Sequence, residues 1–219
     1  NINRARRYHG YAMGSLIEYF GKEYGNDKIV DLYSDWKKNS KSKLQTTFDA
    51  LKTFAKAKGS TIFSGTYDYF VEEILAGRLI PGVSAYHAWD RQRDLNTSHM
   101  SYDEKGTCYP FGADIVWFPL DFSNDYSFDG KELVIRNDNP KDSYLHTNIY
   151  TRYNVRKTIP YETILWPGDS LVIPADSLNN LLKAQRKTSG FYTVTSSYDE
   201  SGKRSSNIKV EIRDITPTI

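Results

Sequence analysis

Along this chain the spacing of apolar residues changes once, from three- and four-residue steps to alternation, and each period admits only one kind of element. Up to Gly77 the pattern is helical. Tyr11, Ala12, Leu16, Tyr19 and Phe20 fall on one helical face, Gly25 can take the left-handed backbone that closes a helix, and Asn26 or Asp27 can cap the next. Ile29, Val30, Tyr33 and Trp36 form the apolar stripe of that second helix. A third helix is expected over 43–58, carrying Leu44, Phe48, Leu51 and Phe54, and a fourth from about 60 to Gly77, carrying Phe63, Tyr67, Phe70 and Ile74.

Beyond Phe111 the strand period takes over. Asp114 to Phe118 and Leu133 to Ile135 read as strands, with a turn at Phe128-Asp-Gly-Lys131. From Tyr144 to Tyr153, Leu145, Thr147, Ile149 and Thr151 alternate with His146, Asn148, Tyr150 and Arg152. Ile164 to Ile173 is broken by Pro167-Gly168, which fits a bend or a switch between strands. A short helix fits 177–187. Phe191 to Tyr198 and Asn207 to Ile215 read as a closing hairpin. Between Leu79 and Pro110 neither period holds. The expected fold is therefore α+β, with a helical subdomain over 1–84, a linker or irregular loop over 85–110, and an immunoglobulin-like antiparallel β-sandwich over 111–219.

Composition narrows the partners. A formal net charge of +2 is too small for a nucleic-acid or anionic-membrane binder, whose positive charge is strong and clustered. No apolar run approaches the ~20 residues that span a bilayer, so no transmembrane segment is expected. The chain starts at Asn1 rather than methionine, which suggests a processed product or a fragment. Cys108 is the sole cysteine, so no intrachain disulfide and no multi-cysteine metal site can form.

Several residues can carry chemistry, and each has a plainer alternative. Trp117, Tyr150, Tyr153 and Trp166 suit an aromatic platform for sugar rings or a peptide strand, or else fill a sandwich core. Cys108 in GTCYP is either a nucleophile served by a distant histidine or a buried thiol. His87-x-x-Asp90 and His99-x-x-x-Asp103 carry metal-ligand chemistry without an evident third ligand, and solvent-facing loop residues are the preferred reading. Asp121, Asp125 and Asp129 lack the glycine and terminal glutamate spacing of a calcium loop and fit turns. No phosphate loop, dinucleotide fingerprint or Gly-x-Ser-x-Gly elbow is present.

The opening helix pair resembles the region just downstream of the zinc site in gluzincin metallopeptidases, the thermolysin- and aminopeptidase-like group. The residues that carry the resemblance are Tyr11, Gly14, Leu16, Tyr19, Phe20, Tyr24, Gly25, Ile29, Leu32, Tyr33 and Trp36, continued by LQTTFDALKTFAKAKGSTIFSGTYDYFVEEILAG. It covers roughly residues 8–80; beyond them only the architecture, helices followed by a sandwich, is similar. The resemblance implies a secreted or cell-envelope protein acting on a peptide or glycoprotein. It implies that Tyr11 donates its phenol hydrogen bond to a tetrahedral oxyanion, although a packed first-turn aromatic is the plainer role for that residue.

One departure is large. The family's zinc is held by His-Glu-x-x-His and a later glutamate, and this chain has no such motif; His9, His87, His99 and His146 all sit in other contexts. No cofactor is therefore expected in this chain. Zinc enters only if a segment upstream of Asn1 in the same gene product supplies the ligands, and the chain alone is not expected to hydrolyse a peptide. From a different class comes the alternative of a non-catalytic carbohydrate- or protein-binding adhesion module on a peptidase-derived scaffold. A third reading places an enzyme site in the Leu79–Pro110 loop, at His87 and His99.

Overall fold

In a computed structural model of the chain, residues 17–39, 90–108, 113–143, 145–154, 157–185, 189–197 and 204–215 are described. The chain divides into two units, Asn1–Val83 and Ser84–Ile219. In the first, a helical segment over 17–24 ends where Gly25 takes φ +98° and donates its N–H to the Gly21 carbonyl at 3.0 Å. A left-handed residue closes a helix at little strain only when it is glycine. Helix α1, Asn26–Asn39, starts at once, with Asp27 in its first turn where the helix dipole favours negative charge. Tyr19 and Phe20 are buried and meet edge to face, ring centroids 6.1 Å apart. The stripe expected on α1 is only partly realised: Ile29 is half-buried, but Val30 and Tyr33 are 69% and 47% exposed. A helix turns about 100° per residue, so Val30 cannot share a narrow face with its neighbour Ile29. The third and fourth expected helices and Tyr11 lie outside the described residues.

In the second unit the described strands are β1 Arg91–Gln92, β2 Ser101–Cys108, β3 Ala113–Pro119, β4 Lys131–Asn137, β5 Leu145–Asn154, β6 Lys157–Leu165, β7 Ser170–Pro174, β8 Gly190–Ser197 and β9 Arg204–Asp214, with helix α2, Ala175–Gln185, between β7 and β8. They form a five-stranded sheet, β1-β3-β8-β5-β6, and a four-stranded sheet, β2-β9-β4-β7. One core lies between the sheets. Val116, Phe118 and Phe191 enter it from the five-stranded sheet, Leu133, Ile135 and Val210 from the other. Strand β9 shows why: Ser206, Ile208, Val210 and Ile212 are buried while the residues between them are not, the period of a strand with one covered face. Helix α2 adds Leu178, Leu181 and Leu182 to the same core.

A buried asparagine ties the sheets at one end. Asn137 on β4 donates to the Leu165 carbonyl at 2.9 Å and to Leu145 at 3.4 Å, both on the other sheet, and accepts from Asn139. The expected break at Pro167-Gly168 is the point where the chain leaves one sheet for the other, with Gly168 at φ +92°. Gly130, φ +70°, makes the turn into β4.

Three expectations require correction. Residues 85–110 are not simply a linker, since they contain β1 and all of β2. The alternation of β2 is hidden because one inward position is Glu104, an acid buried against arginines rather than an apolar residue. The sandwich is not wholly antiparallel, because β1 runs parallel to β3. Phe191–Tyr198 and Asn207–Ile215 do not pair as a hairpin: β8 sits between β3 and β5, while β9 sits between β2 and β4 in the other sheet. Both are interior strands, so each takes its hydrogen bonds from chain-distant partners that local spacing cannot reveal.

Candidate functional site

The face of the five-stranded sheet turned away from the core carries most of the aromatic residues singled out from sequence. Along β3, Val116 and Phe118 point into the core, so Trp117 points out. The ladder sets Trp117 opposite Tyr192 of β8 and Tyr192 opposite Tyr150 of β5, so the three form one row across three strands. The Trp117 and Tyr192 rings meet at a tilt of 33° with centroids 4.4 Å apart. Gly190 permits this: an added Cβ there would lie 2.8 Å from Cη2 of Trp117.

Arg152, two residues beyond Tyr150 on the same face, lies over this row. Its Cζ is 5.5 Å from the Trp117 ring centroid and 6.0 Å from that of Tyr192, and Nη1 donates to the Tyr192 phenol oxygen at 2.5 Å. Burial pushes the Tyr192 phenol pKa up, and the Arg152 charge partly offsets that. The alternation of β5 places Arg152 with Tyr150, which is the signal by which sequence reasoning could have found it. Farther along β5, His146 and Asn148 share this face, their side chains 3.4 Å apart.

The row is not an open platform. Trp117 is 4% exposed and Tyr150 3%, whereas Trp166, in the β6–β7 turn, is 50% exposed with its ring 5.8 Å from that of His146. Tyr153 turns the other way and packs against the core. Of the expected platform, then, Trp117 and Tyr150 share a buried face and Trp166 alone stands in solvent.

A second cluster links β1, β2 and β3. Arg91 donates Nε to Glu104 at 3.0 Å and Nη2 to Asp114 at 2.8 Å, and Arg93 shares the Glu104 carboxylate. Both acids are buried, and the arginines give their carboxyl oxygens hydrogen-bond partners there. The bond to Asp114 holds the Arg91 guanidinium still more firmly protonated. Burial pushes the neighbouring Asp90 carboxyl upward, although it accepts the Ile115 N–H at 2.8 Å. Gly106 makes room for all this, since a Cβ there would land on the Asp114 carboxylate and 2.6 Å from Arg91 Nη2. Nothing in the spacing of these residues marks them as a group, because Arg91 reaches Asp114 through the parallel β1–β3 pair and Glu104 from the other sheet.

The remaining residues take plainer roles. Cys108 is fully buried, donates to the Thr195 carbonyl at 3.0 Å, and has its pKa pushed up to about 12 by burial and by the Asp114 charge. A thiol so held is protonated at neutral pH and is a structural group rather than a nucleophile. His99 is exposed and stacks on Tyr102, centroids 6.2 Å apart. His87 lies outside the described residues. Asp121, Asp125 and Asp129 are exposed, and Asp129 accepts from Asn179 at 3.1 Å. Among the described residues no three His, Cys, Asp or Glu are grouped as metal ligands, and no helix is long and apolar enough to cross a membrane.

No protein-family model matches the chain, and no curated protein does. Among solved structures it is similar to a mutant of PliG-Ec, a periplasmic lysozyme inhibitor of g-type lysozyme from Escherichia coli, at 12% identity over 56% of this chain and 96% of that one, TM-score 0.31. It is similar also to the PliG inhibitors of Aeromonas hydrophila, 11% identical over 56% of this chain and 98% of that one, TM-score 0.32, and Salmonella Typhimurium, 10% identical over 55% and 99%, TM-score 0.30.

Proposed function

We propose that this chain is the C-terminal helical and sandwich portion of a secreted or envelope-associated zinc metallopeptidase-like protein. The helices line one wall of the substrate cleft, Tyr11 faces the substrate, and an immunoglobulin-like sandwich positions a peptide or glycoprotein. The zinc ligands belong to a segment upstream of Asn1. The observation that carries this reading is the sharp helix–glycine–helix junction at Tyr24-Gly25, with Gly25 at φ +98° and α1 beginning at the next residue, because this is the feature on which the sequence resemblance rests. The test uses the longer gene product. It should contain zinc and hydrolyse peptides, and Tyr11→Phe should lower kcat by about 10²–10³, as loss of one oxyanion donor does, with zinc content unchanged. Full activity in that variant rejects the role of Tyr11, and a zinc-free, inactive longer product rejects the whole reading.

A second reading, a non-catalytic protein- or carbohydrate-binding module, is favoured by one corner of the sandwich. There Ile164 and Trp166, flanking core residue Leu165 at the end of β6, are each roughly half exposed beside the Pro167-Gly168 turn. Exposed tryptophans dominate binding energies out of proportion to their number. Glycan and peptide binding that survives Trp166→Ala unchanged would dismiss this corner as the contact.

A further inference from the structure

We propose that residues 90–95 form an edge guard, which keeps this side of the sandwich from adding a strand of a second copy of the chain. The segment runs parallel to β3 and is held by its backbone: Asp90 N donates to the Ile115 carbonyl at 2.8 Å, Arg93 N to Trp117 at 2.9 Å and Leu95 N to Pro119 at 3.0 Å. Its inward side chains are Arg91 and Arg93, paired with Glu104 and Asp114, and Leu95, fully buried in the core. That leaves Gln92 and Asp94 facing out at the edge of the five-stranded sheet.

An open edge invites pairing because its carbonyls and N–H groups are unpaired. Here the outward carbonyls are already taken. Arg93 Nη1 donates to the Gln92 carbonyl at 3.0 Å, and the phenol of Tyr102, reaching over from β2, donates to the Asp94 carbonyl at 2.8 Å. The outward side chains are also bound to each other, Gln92 Nε2 to Asp94 Oδ1 at 2.7 Å. Short length, inward cations and occupied acceptors together deny an incoming strand its ladder. The partner excluded is another copy of this chain, because the exposed edge would present each molecule with the same two-residue strand backed by the seven residues of β3, and identical edges pair about a two-fold axis.

The decisive variant is Arg93→Thr with Tyr102→Phe. It frees both carbonyls while Arg91 still holds Glu104 and Asp114, and the phenylalanine keeps the ring that packs near Phe118. Sedimentation should show the wild type as a monomer and the double variant self-associating about a hundredfold more tightly. Adding Asp94→Pro, which removes an outward N–H, should return it to a monomer. Tyr102→Phe alone should fold normally and give a smaller shift. A double variant that stays monomeric with a native spectrum, or association that persists with Asp94→Pro, overturns the proposal, as does a wild type already dimeric through this edge.

Discussion

The two sheets turn opposite kinds of surface away from their shared core. On the five-stranded sheet that surface is Trp117, Tyr192, Tyr150 and Arg152, all buried, with Arg152 against Trp117 and Tyr192, and Tyr150 opposite Tyr192 in the ladder. On the four-stranded sheet it is a ladder of paired charges: Arg213 with Glu132 at 2.7 Å, Lys209 with Glu211 at 3.5 Å, and Arg136 with Asp138 at 2.9 Å. Both strand sets alternate with period two, so the alternation alone does not distinguish them. What differs is the chemistry of the outward positions. Long charged side chains keep their heads in water and make a solvated face, whereas a row of rings beside an arginine gains most when water is excluded from it. The aromatic face is where substitution should be felt.

The largest expected effect follows directly. Trp117→Ala should cost about 3–5 kcal/mol, the usual range for removing a buried tryptophan, measured by denaturant unfolding of the whole chain. Glu211→Ala, at a comparable place on the other face, should stay within about 0.5 kcal/mol. Equal losses at the two positions would erase the distinction between the faces. Next comes the tie between the sheets. Asn137→Ala should cost about 1–3 kcal/mol, because it strands the Leu165 carbonyl in the interior. Hydrogen exchange should then speed up first at the β4–β5 end of the sandwich; a uniform change across both sheets would mean the asparagine is not a local tie.

How far the sequence foretold these faces depends on what each residue needed to declare itself. The helix junction at Gly25 and the turns at Gly130 and Gly168 were legible, because positive φ is a local demand that glycine meets. The polar side of β5 was legible as alternation, but nothing local singled out Arg152, since only the cross-strand register with Gly190 brings it over Trp117 and Tyr192. Strand β2 was missed for the same reason. Glu104 breaks the apolar period unless Arg91 and Arg93 are known to be beside it, and they reach it from the edge of the other sheet, more than ten residues away in sequence. The sites read from spacing were thus local turns, and those missed were long-range pairs.

A pH measurement separates the interior from both faces. The Cys108 thiol is shifted from the ordinary 9.0 to about 12 in the folded chain. Its folded pKa is the higher, so the stability it contributes is whole below pH 9 and is lost as pH rises toward 12, at about 1.4 kcal/mol per pH unit. Cys108→Ala removes that slope. Subtracting the two stability profiles cancels the tyrosines and lysines that titrate in the same window. Parallel profiles above pH 9 would mean that the thiol is not withdrawn from water as its bond to Thr195 implies.

The smallest effect tests the charged face on its own terms. Arg213 gives Glu132 two hydrogen bonds, Nε at 2.8 Å and Nη2 at 2.7 Å, yet its side chain is half exposed. An exposed pair gains little because water competes for both partners and two long side chains must be held still. A double-mutant cycle of Arg213→Ala with Glu132→Ala should therefore return about 0.2–1 kcal/mol, shrinking further as added salt screens the pair. A coupling several times larger, insensitive to salt, would show that this face too is withdrawn from solvent. The four-stranded sheet would then have to be regarded as a second covered surface, and Val172 beside it as part of a contact rather than a stray apolar residue.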